Sequence, residues 1–316
     1  MSQEDARAQI IFLMGPTASG KTALACELAS RHPIDLISVD SALVYRGMDI
    51  GTAKPDAKML ERFPHRLVDI REPEEIYSAA DFRGDALLEI KRIVADGRIP
   101  LLVGGTGLYF RALERGLSAL PEADAELRAA LAHEAEYSGK HSLHARLAAL
   151  DPVTAARLNV NDAQRVQRAL EVITLSGRPL SELQGAAKSR LPYRILKLAL
   201  LPHDRVPLRA RIADRVDAML DAGLVAELER LRERQSWSAD LPSMRAVGYR
   251  QGWPYLEGTC GLDEFRIKSI HATRQLAKRQ ITWLRSELDA WVFDPDADSV
   301  SNQVELAVGG FLDLRN

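Results

Sequence analysis

The sequence predicts an α/β fold, and three observations carry that prediction. First, Gly15-Pro-Thr-Ala-Ser-Gly-Lys-Thr22 matches the phosphate-loop motif in residue types and spacing, between an apolar run and a helical pattern. Second, apolar runs of strand length alternate with helical patterns up to about residue 119. Third, strand patterns are lacking over 120–191 and then return. We therefore predict a P-loop NTPase-like core of residues 1–119 and 192–316, with a parallel sheet flanked by helices, and an inserted all-helical domain at 120–191.

The phosphate loop joins the predicted strand Ile10–Met14 to the predicted helix Thr22–Ala29. Its glycines let the backbone wrap an anion, with successive N–H groups and the helix N-terminus pointing inward. In such loops the lysine, here Lys21, reaches the terminal phosphate, and the next hydroxyl, here Thr22, holds a magnesium ion. A Gly-rich turn formed by chance is the alternative, which the flanking elements disfavour. The predicted phosphate-binding residues are Gly15, Pro16, Thr17, Ala18, Ser19, Gly20, Lys21 and Thr22.

The rest of the first third supplies further strands and a helix. In chain order these are the strand Ile34–Val39, a weaker strand Arg66–Ile70, the helix Ala79–Ala95 and the strand Pro100–Val103, which runs into Gly104-Gly-Thr-Gly107. Near-continuous apolar strands are typical of a parallel sheet covered on both faces. Ligands of such sheets bind beyond the carboxyl ends of the strands. We therefore expect the phosphate loop, Asp40 and Thr106 to lie along one rim, because each directly follows a strand.

Helical spacing dominates the remainder of the chain. The predicted elements are the helices Asp124–Glu136, Ser142–Leu150 and Asp162–Leu175, the strand Arg194–Leu201, and the helices Val206–Leu220, Leu224–Arg234 and Asp263–Glu287. Asp162 is typical of an N-cap and Gly177 of a helix stop. The strand is apolar enough to rejoin the first sheet. After Glu287 only a short run, Trp291–Phe293, precedes a weakly patterned tail.

Composition excludes several classes of protein. Of 316 residues, 46% are hydrophobic and 27% charged, which is ordinary for a globular protein with a sizeable core. Cys26 and Cys260 lie far apart, which argues against a structural zinc site or a disulfide scaffold and fits a reducing cytoplasm. No apolar run approaches membrane-spanning length, and the N-terminus resembles no targeting peptide. The net charge of −2 neither requires nor excludes a nucleic-acid partner. We expect a cytoplasmic monomer without membrane contact.

Two residues on the predicted rim are candidates for chemistry. Asp40, at the end of its strand, would bind magnesium or act as a base on a nucleophile in the cleft. The competing interpretation is an aspartate that caps a turn or a helix. Thr106 lies between glycines, so its hydroxyl can approach a ligand oxygen without steric obstruction, although Gly-Gly-Thr-Gly alone also suits a tight turn. His65, just before a strand, is either structural or adjacent to the substrate.

Basic residues cluster in the insertion and toward the C-terminus. On the long C-terminal helix, His271, Arg274, Lys278 and Arg285 fall within an arc of about 60°. Such a stripe is often a solvated face, but no acid lies between Glu264 and Glu287. Clusters of one sign in a nearly neutral protein indicate a surface for a polyanion. Three aromatic residues nearby suit either stacking on bases or packing in the core, namely Tyr249, Trp253 and Trp283.

Taken together, the motifs resemble those of the bacterial tRNA dimethylallyltransferases, also called tRNA isopentenyltransferases or the IPP transferase family. The matching segments are Gly15–Thr22, Ile37–Ala42, Tyr45–Pro55, Pro64–Leu67, Tyr77–Phe82, Val103–Tyr109, Asn161–Arg165, Val247–Gln251 and Thr273–Arg285. They extend over nearly the whole chain, from about Ile10 to Arg285, and several are long and chemically unusual. The zinc-finger extension of eukaryotic relatives is missing, in keeping with two cysteines.

The resemblance implies a reaction and its participants. The family transfers a dimethylallyl group from its diphosphate to N6 of the adenosine immediately 3′ of the anticodon, so the phosphate loop would hold the diphosphate leaving group with magnesium. Asp40 would accept the proton of the adenine amine, Thr106 would contact the bridging oxygen, and Lys21 would stabilise the departing anion. Arg215, and after it Arg211, are the candidates for an arginine clamp on the diphosphate.

The partner implied is the anticodon stem-loop of tRNA, whose target base must leave the loop stack. A cleft between core and insertion would accept that base. The residues expected to contact tRNA are Asp40, Ser41, Ala42, Leu43, Thr106, Arg128, Gln164, Arg165, Val166, Gln167, Arg168, Arg245, Gly248, Arg250, Lys278, Arg279 and Arg285.

Two other functions stay open at this stage. An ATP-dependent kinase of a nucleoside or another small molecule explains the ATP-type loop, Asp40 and the sheet equally well. It leaves the basic clusters and the Gly-Gly-Thr-Gly turn without a purpose. A non-catalytic RNA-binding module like a GTPase ranks last, because the chain lacks the Asn-Lys-x-Asp guanine signature.

Overall fold

Six parallel strands form one sheet at the centre of the protein. The computed structural model of the chain describes residues 8–118, 120–184, 191–234 and 237–313, without the side chain of residue 140. The strands are β1 (Gln9–Met14), β2 (Ile34–Val39), β3 (His65–Arg66), β4 (Ile99–Gly104), β5 (Arg194–Leu200) and β6 (Trp291–Phe293). Their order across the sheet is β3-β2-β4-β1-β5-β6. β5 pairs along the full length of β1, which confirms that the strand after the insertion rejoins the first sheet.

Fourteen helices are present among the described residues. In the first and last parts of the chain they are α1 (Lys21–Arg31), α2 (Ala57–Arg62), α3 (Ala79–Ala95), α4 (Gly107–Arg115), α10 (Val206–Asp221), α11 (Leu224–Arg232), α12 (Tyr249–Leu256), α13 (Leu262–Leu284) and α14 (Val300–Asp313). In the middle they are α5 (Ala125–Ser138), α6 (Lys140–Leu150), α7 (Pro152–Arg157), α8 (Ala163–Ser176) and α9 (Leu180–Leu183). A 3-10 turn spans Pro242–Arg245. No helix among these residues is long and apolar enough to cross a membrane.

The chain divides into two compact units, one of Met1–Leu113 with Leu191–Asn316 and one of Glu114–Arg190. In the first unit, apolar residues cover both faces of the sheet. Leu24 of α1 and Val304 of α14 pack on one face. Phe82 of α3 and Phe110 of α4 pack on the other. Such double coverage explains why β1 and β4 are buried along their whole length.

The second unit has a core of its own, built from α5 to α9. The described residues of this unit include no strand, as predicted. Asp162 caps α8 by accepting the backbone N–H of Arg165, and Gly177 ends that helix in the left-handed region at φ 68°. Both assignments agree with the sequence-based prediction.

Two parts of the fold differ from the prediction. The strand expected over Arg66–Ile70 ends at Arg66, because Leu67 and Asp69 adopt φ values of 64° and 55°, which no strand accommodates. The tail expected to lack regular structure forms α14. The helix is held by tertiary packing, since Val304 and Val308 are fully buried against the sheet.

Candidate active site

A cavity of about 140 Å³ lies beyond the carboxyl ends of the strands in the first unit. Its lining includes Lys21 and Thr22 from the start of α1, Asp40 from the end of β2, and Arg215 from α10. The phosphate loop and Asp40 therefore share one rim, as the sequence predicts. Opposite signs of charge face each other in this cavity, since Asp40 interacts electrostatically with both Lys21 and Arg215.

The phosphate loop owes its shape to two left-handed residues. Gly20, at φ 81°, is the N-cap of α1, and Ala18 also has a positive φ of 61°. Lys21 then begins the helix, and its Nζ donates a hydrogen bond of 3.2 Å to the carbonyl of Pro16. The first N–H groups of α1 have no side-chain cap. The loop thus offers a helix N-terminus and a cation to an anion.

Two arginines contact this loop in different ways. Arg215 lines the cavity and donates a 3.2 Å hydrogen bond to Oγ1 of Thr17. Arg211 donates to the carbonyl of Ala18 at 3.0 Å and pairs with Asp296. Arg215 is thus placed to hold a bound anion, whereas Arg211 supports the loop through its backbone.

The electrostatics of Lys21 yield a pH prediction. Burial lowers the pKa of Lys21 to about 8; Asp40 opposes this shift and Arg215 adds to it. Below pH 8 the lysine is charged and attracts a diphosphate, and above pH 8 the free protein loses that charge. We expect the Kd of inorganic pyrophosphate, measured by calorimetry, to rise about tenfold between pH 7 and pH 9.

The matched control for this prediction is Lys21→Arg, whose guanidinium stays charged over the whole range. Ionisation of the ligand is the same for both proteins, so the ratio of the two Kd values isolates the lysine. Equal pH profiles for the two proteins would contradict a depressed lysine pKa.

Asp40 accepts hydrogen bonds from the backbone with only one of its carboxylate oxygens. Oδ1 accepts the N–H groups of Ala42 at 2.8 Å and Leu43 at 3.4 Å. Among the described residues, no group donates to Oδ2. Asp40 therefore shapes the turn after β2, which was the competing interpretation, and still keeps an oxygen for a proton. The two roles use different oxygens, so the first does not exclude the second, which stays a prediction.

Thr106 is joined to the same turn. Its Oγ1 accepts the backbone N–H of Ser41 at 3.2 Å, and its own N–H donates to the carbonyl of Val39. A hydroxyl that accepts one bond still has its proton to donate. Thr106 is thus oriented by the backbone next to Asp40, with a donor available for a ligand oxygen.

The glycines around Thr106 are required by close packing. A Cβ on Gly104 would lie within 3.0 Å of the Val39 carbonyl oxygen on the neighbouring strand. On Gly105 it would meet the Gln280 side chain of α13 at similarly short range, and on Gly107 the ring of Trp283. The motif therefore lets β2 and α13 approach the turn that holds Thr106.

Two residues that shape the cavity were not predicted. Glu227 of α11 is 1% exposed and accepts the N–H groups of Asp49, Ile50 and Gly51 together with the hydroxyl of Tyr249. It thereby fixes a loop that lines the cavity. The sequence contains a pattern that could have identified it, because Glu227 lies on the face of its helix that is otherwise formed by leucines. The other residue is Gln280, which lies in the matching segment Thr273–Arg285 but was not singled out as a site residue.

The cavity also suits a magnesium ion. Ser38 Oγ and His65 Nε2 line it with Thr22, are buried, and have no hydrogen-bond partner among the described residues. Such orphaned acceptors match the water molecules that a magnesium ion retains. The described residues hold no cluster of three His, Cys, Asp or Glu side chains for a metal. The donor set fits an ion held mainly by a hydroxyl and by ligand phosphates. His65 is thus both structural, through its bond to the Phe63 carbonyl, and adjacent to the cavity.

A second cavity, of about 480 Å³, lies between α10 and α13. Its floor is apolar, and its basic side chains are Arg205, Arg209, His271, Arg274 and Lys278. No carboxylate of the described residues pairs with any of these five. At 100° per residue, Lys278 lies about 160° around α13 from Gln280. The basic groove, as we call this cavity, is therefore separate from the cavity that holds Asp40, and the contact of Lys278 with tRNA stays a prediction.

The other residues predicted to contact tRNA occupy varied positions. Ala42, Leu43 and Gly248 line the cavity with Asp40. Of the residues predicted to contact tRNA, those that are exposed on the first unit are Ser41, Arg245, Arg250, Arg279 and Arg285. The aromatic residues near them are occupied elsewhere: Tyr249 is fully buried and Trp283 stacks on Phe110 at 5.9 Å, so packing in the core holds for both. Trp253 donates its ring N–H to Glu257.

In the second unit, a buried carboxylate organises the predicted residues. Glu171 is fully buried and pairs with Arg128 at 2.9 Å and Arg168 at 2.6 Å. Burial raises the pKa of Glu171, but hydrogen bonds from both arginines outweigh it, and the pKa lies below its usual value. Gln167 donates to the carbonyl of Arg128.

The remaining α8 residues that were predicted to contact tRNA lie on two different faces of the helix, one exposed and one buried. Gln164 and Arg165 are exposed, so both are accessible to a partner. Val166 is 1% exposed and belongs to the apolar core of this unit. The side chain of Val166 is therefore not accessible to a partner, because its position on α8 faces inward.

Comparison with known proteins places this geometry in a family. The model of the family described as IPP transferase matches residues 43–287. A tRNA dimethylallyltransferase of Xanthomonas euvesicatoria pv. vesicatoria is 57% identical over 314 residues, which cover 98% of this chain and 95% of that protein. The crystal structure of the full-length tRNA isopentenylpyrophosphate transferase of Bacillus halodurans is 36% identical, with a TM-score of 0.72 over 98% of both chains. A eukaryotic dimethylallyltransferase crystallised acting on tRNA is 26% identical, with a TM-score of 0.81, covering 98% of this chain and 80% of that one. The chain belongs to the IPP transferase family.

Proposed function

We propose that the protein transfers a dimethylallyl group from dimethylallyl diphosphate to N6 of the adenosine immediately 3′ of the anticodon in tRNA and releases diphosphate. One observation carries the proposal: the phosphate loop, with Lys21 and Arg215, shares a cavity with Asp40, whose Oδ2 accepts no hydrogen bond from the residues that the structure describes. The relatives named above are a tRNA dimethylallyltransferase, a tRNA isopentenylpyrophosphate transferase and a eukaryotic dimethylallyltransferase that acts on tRNA, and nothing in the comparisons favours the kinase alternative.

The reaction requires a base at one end of the cavity and an anion site at the other. The N6 nitrogen attacks the allylic carbon, the carbon–oxygen bond breaks, and its electron pair leaves on the diphosphate. Asp40 Oδ2 takes the proton from N6, which frees the lone pair of a weakly nucleophilic aromatic amine. The Thr106 hydroxyl donates to the bridging oxygen, and Lys21 and Arg215 stabilise the leaving diphosphate.

A magnesium ion would be held by Thr22 Oγ1 and by the diphosphate oxygens. The ion supplies charge neutralisation on the leaving group when bound.

We further propose that the protein acts in the cytoplasm, where tRNA is found, as a monomer.

The test is to incubate the protein with magnesium, dimethylallyl diphosphate and unmodified tRNA, and to analyse the nucleosides by mass spectrometry. The expected product is N6-prenylated adenosine at the position 3′ of the anticodon. A matched reaction offers ATP and nucleosides instead. Transfer of phosphate to a nucleoside without prenylated tRNA would support the kinase alternative and refute this proposal.

The basic groove supports tRNA as the partner, since its five basic side chains, which pair with no carboxylate in the described part of the chain, favour a polyanion. We expect Lys278→Ala to weaken tRNA binding and to reduce the slope of log K against log salt by about 0.7 to 0.9, the loss of one phosphate contact. Lys91→Ala, which removes an exposed lysine of α3, should leave the slope unchanged. Filter binding at several salt concentrations measures both. An unaltered slope for Lys278→Ala would make the groove a solvated surface.

A further inference from the structure

Gln280 of α13 bonds to both turns of the active site. Its Oε1 accepts the backbone N–H of Thr17, in the phosphate loop, at 2.9 Å. Its Nε2 donates to the carbonyl of Gly105, next to Thr106, at 3.1 Å. The side chain also lines the cavity itself. One amide thus spans the anion-binding loop and the catalytic turn.

The bond belongs to a longer chain of contacts. Arg215 donates to Oγ1 of Thr17, whose N–H is held by Gln280. On the other side of Gln280, Gly105 leads to Thr106, which accepts the N–H of Ser41 beside Asp40. Groups that would hold the leaving group are therefore linked through Gln280 to those that would act on the nucleophile.

The position of Gln280 is fixed by α13 as a whole. Ala277, Ile281 and Leu284 of this helix are buried, so the helix cannot turn without losing core contacts. Gly105 leaves no room for a side chain beside the amide. An amide both accepts and donates, which suits one N–H and one carbonyl partner. No other common side chain of this length offers both groups in neutral form.

We propose that Gln280 is a positioning residue that sets the distance between the phosphate loop and the Asp40–Thr106 turn. The inference rests on the proposed function. In that function the phosphate loop would hold the diphosphate of the breaking bond, and the Asp40–Thr106 turn would hold the adenine amine of the forming bond. A misplacement of about 1 Å between reacting groups can reduce the rate about 100-fold. Loss of Gln280 should therefore act on the rate constant more than on affinity for tRNA.

The first experiment compares Gln280→Leu with the unaltered protein. We expect kcat for prenyl transfer to fall about 100-fold while the Kd of tRNA changes less than about twofold. The matched control is Thr282→Ala, an exposed position two residues along the same helix, which should retain full activity. A wild-type kcat would refute the proposal. A loss of tRNA affinity with unchanged kcat would do so too, since Gln280 would then be a tRNA-binding residue.

A double-mutant cycle tests the contact itself and separates positioning from general destabilisation. Gly105→Ala should lower kcat strongly when Gln280 is present, because the new methyl group displaces the amide. In a Gln280→Ala background the same change should have a much smaller effect, since the contact with the amide is gone and only the one with the Gly15 carbonyl oxygen, at 3.1 Å, remains. If the fold-loss of kcat in the double variant equalled the product of the losses in the two single variants, the proposal would be overturned. The cycle needs only the relative rates of the folded fractions, so partial unfolding of one variant leaves it decisive.

Binding of inorganic pyrophosphate distinguishes this inference from the proposed function. Gln280→Leu should raise the Kd of pyrophosphate roughly three- to tenfold without any tRNA, because a loosened loop must be ordered on binding. If the unaltered protein formed no prenylated tRNA, the proposed function would fail while this measurement still reported on the loop. An unchanged Kd together with an unchanged kcat would refute the role of Gln280.

Discussion

Replacement of Asp40 by alanine is expected to lower the turnover of tRNA prenylation by about 10² to 10⁴, the range typical of a lost general base. The tRNA Kd should remain within a fewfold, because the rest of the proposed binding surface is unchanged. Single-turnover kinetics with saturating tRNA measure the first quantity and filter binding the second.

Asp40→Asn is the variant that separates the two roles of this side chain. Asparagine keeps an oxygen for the N–H of Ala42 and so preserves the turn. It cannot accept a proton at neutral pH. We therefore expect it to be as inactive as the alanine variant but as stable as the unaltered protein. Near-normal turnover in Asp40→Asn would leave the aspartate a structural residue only.

Gly104→Ala is expected to destabilise the protein by at least about 3 kcal/mol. The methyl group would lie within 3.0 Å of the Val39 carbonyl oxygen, and this oxygen belongs to the backbone of a buried strand that cannot move aside. Chemical denaturation monitored by circular dichroism measures the loss. Failure to accumulate folded protein would be the extreme form of the same result.

Gly84→Ala serves as the matched control. Gly84 lies within α3, is exposed, and has no atom within 4 Å of an added Cβ. Alanine there should stabilise the helix by about 0.5 to 1 kcal/mol. If both variants had the same stability, the close approach of β2 and β4 would have no energetic importance.

Local sequence predicted the parts of the site that follow directly from a strand. The phosphate loop, Asp40 and Thr106 each come after a buried apolar run, so parallel topology alone brings them to one rim. The boundary of β3 was not predictable in the same way. Leu67 and Asp69 are held at positive φ, a conformation that is uncommon for leucine and that aspartate adopts only in a minority of cases.

Contacts between distant parts of the chain explain the other differences. Gln280 meets Thr17 across 263 positions, and Glu227 meets the loop at 49–51 across more than 170. Helical periodicity placed Lys278 on a basic face, and the structure keeps it there. Periodicity could not tell that the active-site cavity lies against the opposite face, because that depends on how α13 packs on the sheet.

The helix α13 contributes side chains to both cavities from different faces. Ser269, Thr273 and Gln280 point to one cavity, while His271 and Lys278 point to the other. Insertion of one residue between Thr273 and Lys278 would rotate Lys278 and Gln280 by about 100° relative to Ser269, His271 and Thr273. Seven inserted residues would restore the rotation to within about 20° but would carry Gln280 about 10 Å away from its partners. The number of residues in this stretch is therefore constrained as strictly as the identity of Gln280.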